Sequence, residues 1–264
     1  MEDDGSRQGR APADRHGRRR RGPRGGSGPP AQDLQVAVVT GASSGLGAEL
    51  VRQLRARGWF VVGLSRRPSE ADEHETCDVG DREDVNGAAE RVLSRHPSIG
   101  ILVNNAGVAA RSAFVGGDPE RIERTMRVNY LGSVWTTLAF LPGLERGARV
   151  VNVVSVAGTV AGGPYSASKH AQLAFSRSVA VELAPRGVSV LTVNPGFVET
   201  EGFPQRDRLR GLLYRFVVEP PFVVGRLLEA VDRDRREITV PRWYRPAAWV
   251  QALAPGALAR LRGR

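Results

Sequence analysis

Val36-Ala37-Val38-Val39-Thr40-Gly41-Ala42-Ser43-Ser44-Gly45-Leu46-Gly47 is the segment from which the fold can be read. A short apolar run with the composition of a buried strand passes directly into three glycines at spacings of four and two, and a helical apolar stripe then continues to Arg57. In such a turn glycines let the backbone bend tightly and approach a pyrophosphate, while the free N–H groups and dipole of the following helix favour its negative charge. A plain strand-to-helix turn requires no such glycine density.

Outward from this turn the same texture repeats. Strands are expected at Val36 to Thr40, Phe60 to Ser65, His74 to Cys77, Ile101 to Asn104, Val150 to Ser155, Val188 to Asn194 and Glu237 to Val240. Between them 3.6-residue periodicity predicts helices at Gly45 to Arg57, Arg82 to Arg95, Pro119 to Leu141, Tyr165 to Leu183 and Phe222 to Arg233. Strand and helix in alternation predict an α/β protein of Rossmann-like, doubly wound architecture: one seven-stranded parallel sheet with helices on both faces, in a single domain over residues 34–241. Residues 1–33 are rich in Arg, Gly and Pro, include the run Arg18 to Arg21, and are expected to be a disordered tail. Residues 242–264 read as an amphipathic C-terminal arm.

The chain of 264 residues has a formal charge of +10, which raises the question of an anionic partner. Eight Arg in residues 1–33 stand against five acidic residues, so the tail carries a minor part of the excess. It has no interleaved aromatics to stack on bases, and no nucleic-acid partner is expected. Cys77 is the sole cysteine, which excludes an intrachain disulfide and a cysteine metal cluster, and no metal site is expected. With no apolar run of membrane-spanning length and no secretory signal, a cytoplasmic protein is expected, membrane-peripheral at most.

Two segments carry chemistry. The second strand ends in Ser65-Arg66-Arg67, where a carboxylate would otherwise hold the adenosine ribose hydroxyls. Arg66 or Arg67 can instead pair a 2′-phosphate with its planar fork, which favours NADP(H) over NAD(H). The segment Gly163-Pro164-Tyr165-Ser166-Ala167-Ser168-Lys169 opens a helix, so Tyr165 and Lys169 stand on one face. Lys169 is the only lysine in the chain, although arginine serves as the cation everywhere else. An ammonium beside a tyrosine is expected to lower the phenol's pKa towards neutrality and fit it for proton exchange.

Together these motifs resemble those of the short-chain dehydrogenase/reductase family, of the Tyr-x-x-x-Lys type, over roughly Val36 to Val240. The resemblance rests on Thr40 to Gly47, Asp78, Asn104-Asn105-Ala106-Gly107, Asn129, Ser155, Tyr165 with Lys169, and Pro195-Gly196. It implies a nicotinamide-dependent oxidoreductase that interconverts a carbonyl and an alcohol, with Ser155, Tyr165, Lys169 and Asn129 as catalytic residues. Tyr165 would be the general acid/base, Ser155 would hold the substrate oxygen, and Asn129 would anchor a water that relays protons to Lys169. The implied cofactor contacts are Gly41, Ser43, Ser44, Gly45, Leu46, Gly47, Ser65, Arg66, Arg67, Asp78, Val79, Asn105, Ala106, Gly107, Tyr165, Lys169, Pro195, Gly196, Val198 and Thr200. The sequence departs from the family between Ser155 and Tyr165, where a gap of ten residues replaces thirteen and shortens one wall of the cleft; Thr159 is a weaker substitute for Ser155.

Beyond Gly196 the residues Phe197, Val198, Phe203, Leu209, Leu212, Leu213, Tyr214 and Phe216 predict a hydrophobic, lipid-like substrate. The arm from Arg242 mixes Trp, Tyr, Leu and Arg, suited to close the cleft or pack on a partner, with peripheral membrane contact as the rival reading. The resemblance also implies a homodimer or homotetramer built through the helices at Pro119 to Leu141 and Tyr165 to Leu183. A cofactor-binding regulator with weak or no turnover is the alternative function.

Overall fold

The computed structural model describes residues 35–109, 113–201, 216–246 and 253. The expected tail over 1–33, the substrate wall from Phe203 to Tyr214 and nearly all of the arm beyond 246 lie outside the described residues.

Seven parallel strands form one sheet in the order β3-β2-β1-β4-β5-β6-β7. They are β1 (Val36–Thr40), β2 (Phe60–Ser65), β3 (Glu73–Thr76), β4 (Ile101–Asn104), β5 (Arg149–Val153), β6 (Ser189–Pro195) and β7 (Glu237–Val240). Register is set by runs such as Val36 opposite Phe60 and Val39 opposite Val103. Strand order reverses at β1, so β2 and β4 diverge on either side of it and open a crevice beyond their carboxyl ends, where such sheets bind ligands.

Side-chain alternation builds the two layers. Val36 and Val38 join one buried cluster with Val85 and Val92 of α2 (Arg82–Arg95) and Phe140 of α4 (Gly132–Phe140). Ala37 and Val39 join the other, against Leu50 and Leu54 of α1 (Gly45–Ala56) and Leu227 and Leu228 of α6 (Pro220–Asp232). Each fully buried leucine contributes about 1.5–3 kcal/mol, so these clusters set the sheet's position between its helices.

Helix ends differ in a way that matters for the crevice. Asp81 caps α2 by accepting from the N–H groups of Glu83 and Asp84, at 2.9 and 3.1 Å. Asp118 caps α3 (Pro119–Met126) by accepting from Glu120 N at 3.0 Å. The Ser44 side chain caps nothing at the start of α1, and that helix has no acid in its first turn.

The single helix expected over Pro119 to Leu141 is a correction. After α3 the chain makes a π-helical turn at Arg127–Leu131 before α4, and Leu141–Gly143 forms a separate tight turn. The wider turn inserts one residue, rotating the following face by about 100°. It turns Asn129 onto the backbone of Val108 and lets Gly132 meet Val79, whose carbonyl would lie 2.9 Å from a Cβ at Gly132. Strand β5 also stops at Val153, so Ser155 is not a strand residue but the residue that opens a tight turn at Val156–Thr159.

Candidate active site

The turn after β1 is locked to the turn after β4. Thr40 Oγ1 accepts from Asn105 N at 3.0 Å and Ala106 N at 3.1 Å and donates to Val103 O at 3.2 Å. Asn105 Nδ2 donates to Thr40 O at 3.0 Å. Gly41 sits at φ +66°, where a Cβ would stand 2.9 Å from Ala106 Cα, and a Cβ on Gly47 would lie 2.0 Å from Gly41 O. Only glycine lets α1 and the two turns approach so closely.

These turns border a cavity of about 600 Å³ that contains every expected cofactor contact except Gly47, which lies beneath it as packing. At one end Leu64, Cys77, Val79 and Val128 form an apolar slot. Burial, reinforced by Asp84 and Asp78, pushes the Cys77 thiol up to about 12, so it stays protonated and inert. Asp78 accepts from Gly80 N at 2.9 Å, and its Oδ2 lies 3.8 Å from Arg66 and 3.6 Å from Arg124. Ser65 Oγ donates to Arg67 O at 2.7 Å, shaping the end of β2.

At the other end the shortened loop still brings Ser155 and Tyr165 together: their side chains are hydrogen-bonded. Directly after Ser155 the chain enters the tight turn at Val156–Thr159, and Ser155 Oγ accepts from Ala157 N at 3.1 Å. Ser166 staples the loop to α5 (Pro164–Leu183) by donating to Ala157 O at 2.5 Å and also engaging Val160 O. Thr159 Oγ1 is turned into its own loop, 2.7 Å from Val156 O, and does not replace Ser155.

Lys169 is 3% exposed. Its Nζ donates to Val153 O at 3.0 Å and to Gln172 Oε1 at 2.7 Å, and burial lowers its pKa to about 7. The expectation that an ammonium makes Tyr165 more acidic is corrected here. Burial raises the Tyr165 pKa, opposed by the hydrogen bond to Ser155, and burial also disfavours the charge on Lys169. Gln172 was not expected from the sequence, although it stands three residues beyond Lys169 on the same helix face. It passes the contact on to Ser133 Oγ at 2.8 Å.

Asn129 does not line the cavity. It lies behind it, accepting from Val108 N at 2.7 Å and donating to Val108 O at 3.0 Å and Ser168 Oγ at 2.9 Å, so it ties the Asn105 to Val108 turn to α5. Beneath the site a polar seam runs across three strands: Asn104 to Asn152 at 2.8 Å, Asn152 to Ser176 at 2.9 Å, and Ser176 to Thr192 at 2.7 Å.

Pro195, Gly196, Val198 and Thr200 all face the cavity, and Val198 bridges to Val218. Tyr244, in the first residues of the arm read as suited to close the cleft, is a further neighbour. Its ring lies on Gly196, where a Cβ would meet it at 2.1 Å, and beside Phe197 at 5.9 Å between centroids.

The residues fit a nicotinamide dinucleotide: an uncapped helix start for the diphosphate, glycines where a Cβ would collide, and an apolar slot for a base. Residues 35–209 match the short chain dehydrogenase family. A dehydrogenase/reductase SDR family protein 7-like from Anopheles gambiae is 32% identical over 252 residues, covering 84% of this chain and 80% of that protein. Retinol dehydrogenase 5 of Mus musculus is 38% identical over 190 residues, 65% of this chain and 58% of that protein. Among solved structures, a short chain dehydrogenase from Burkholderia cenocepacia J2315 in complex with NADP has a TM-score of 0.75 at 31% identity, covering 86% of this chain and 97% of that one.

Proposed function

The chain belongs to the short chain dehydrogenase family, and on that premise we propose that it is an NADP(H)-dependent oxidoreductase interconverting a hydrophobic carbonyl and its alcohol. The observation that carries this reading is the hydrogen-bonded pair of Ser155 and Tyr165 at one end of the cavity that has the uncapped α1 at its other border.

The bound nicotinamide supplies or accepts the hydride. Ser155 O–H orients the substrate oxygen and stabilises the charge growing there. Tyr165, hydrogen-bonded to the same serine, gives its proton to that oxygen in reduction and takes it back in oxidation. Lys169, with its Nζ beside Gly107 and held by Val153 O and Gln172, positions the ribose side of the cofactor and the proton path to Tyr165. Asn129 keeps α5 in register with the Val108 turn.

Arg66 and Arg67 at the cavity border support the NADP(H) preference, and no carboxylate ends β2. Phe197 and the apolar residues after it support a hydrophobic substrate, as does the similarity to a protein named for retinol. A lone buried thiol suits a reducing compartment.

The test is an NADPH-consumption screen against hydrophobic ketones and aldehydes with Tyr165→Phe as the blank. Turnover is expected in the wild type and a fall of at least about a hundredfold in the variant, with NADPH binding retained. Equal rates in the two proteins would remove Tyr165 from the mechanism. In a side-by-side titration NADPH should bind more tightly than NADH, and Arg66→Ala with Arg67→Ala should erase the difference.

A further inference from the structure

Beyond the active site, a second cleft of about 1140 Å³ runs along β7, the free edge of the sheet, between α5 and α6. Its lining carries six arginines, Arg177, Arg226, Arg233, Arg235, Arg242 and Arg245, against two carboxylates, Glu229 and Glu237. The carboxylates are already used: Glu237 pairs with Arg177 at 2.9 Å, and Glu229 with Arg226 at 2.6 Å and Arg233 at 2.8 Å. Among the described residues Arg235 and Arg242 have neither ion pair nor side-chain hydrogen bond, and both are exposed. On the same lining Phe222 and Trp243 are 48% and 54% exposed. Surplus guanidinium charge beside half-exposed aromatics matches the chemistry of a phospholipid interface, where aromatics lie at headgroup depth and arginines meet phosphate.

We propose that this β7 edge docks on an anionic phospholipid surface. Arg235 and Arg242 flank the four residues of β7 and so stand on the order of 20 Å apart, a span that fits an array of headgroups rather than one bound anion. Trp243 is followed by Tyr244, whose ring lies on Gly196 of the active-site cavity. Docking would therefore hold the mouth of the site beside the phase in which a hydrophobic carbonyl or alcohol concentrates. That benefit rests on the proposed oxidoreductase reading, whereas docking itself is measured without turnover, so the two can fail separately.

Sedimentation of the full chain with vesicles of phosphatidylcholine, with and without phosphatidylserine, tests it. Binding is expected with phosphatidylserine present and weak without it. Arg235→Glu combined with Arg242→Glu should weaken binding by roughly thirtyfold or more, since each basic residue at such a surface is worth about a fivefold change in partitioning. Phe222→Ser should weaken it further at unchanged NADPH affinity, which reports that the fold is intact. Failure to sediment with phosphatidylserine vesicles would overturn the proposal. So would equal binding by the double variant, the outcome expected if residues 1–33 drive attachment. A loss of self-association in the double variant without vesicle binding would also overturn it, by assigning the cleft to a second copy of the chain.

Discussion

At the scale of single residues, Lys169 shows how one burial event sets both charge and stability. Burial lowers its pKa to about 7 from the ordinary 10.5, and its partners Val153 O and Gln172 Oε1 are neutral. Between those two values the unfolded chain binds a proton that the folded chain does not, so stability rises with pH through that window and the cost is fully present below pH 7. Tyr165 contributes in the opposite sense, since a raised phenol pKa gives stability that is lost above its ordinary value of 10. Urea unfolding between pH 7 and 9.5 should therefore show the wild type gaining on the order of 3 kcal/mol relative to Lys169→Met. Parallel curves for the two proteins would mean that Lys169 carries no burial penalty. The Tyr165 and Lys169 pair was legible because the only lysine in the chain falls four residues from a helix-start tyrosine. The sign of the tyrosine's shift was not, because it depends on solvent exclusion by surrounding elements.

Among the elements, strands were legible where β-branched runs are buried on both faces, as in β1 and β2, and helices where apolar stripes meet a sheet. Strand β3, Glu73-His74-Glu75-Thr76, has little apolar content and shifted by one residue, since its position comes from pairing with β2. The π-helical turn at Arg127–Leu131 left no mark in the periodicity, because one inserted residue is smaller than the error of the stripe. The arm that holds Tyr244 was read as suited to close the cleft, but its contact with Gly196 was not legible, because the two residues are far apart in sequence. Glycines separate in the same manner. Gly47→Ala would place a methyl 2.0 Å from Gly41 O, so it should cost about 1–3 kcal/mol and weaken NADPH binding together. Gly225→Ala, in open space on α6, should instead stabilise by about 0.4–1 kcal/mol with binding unchanged. Thermal unfolding with a cofactor titration on both variants checks the contrast.

For the whole molecule, the helices that complete the site also present apolar side chains outward. Leu138 of α4 is 59% exposed and Val181 of α5 is 74% exposed, although both helices pack inward against the sheet or its polar seam. The resemblance-based expectation of a dimer or tetramer places these faces at the interface. Leu138→Asp with Val181→Asp should reduce the mass in light scattering to that of a monomer while the fold persists. An unchanged mass would place assembly elsewhere or deny it.

The start of α1 has a consequence for the protein's life in a cell. Asp81 and Asp118 finish α2 and α3 with their own carboxylates, whereas α1, like α5 and α6, starts without a side-chain cap, and its start borders the cavity that fits a dinucleotide. A ligand that binds the folded form at a hundred times its Kd adds about 2.7 kcal/mol, a sizeable share of a domain's margin against unfolding and proteolysis. The supply of dinucleotide would then govern how much of the protein survives as well as how fast it works, and starvation for the cofactor would be read out as loss of the enzyme itself.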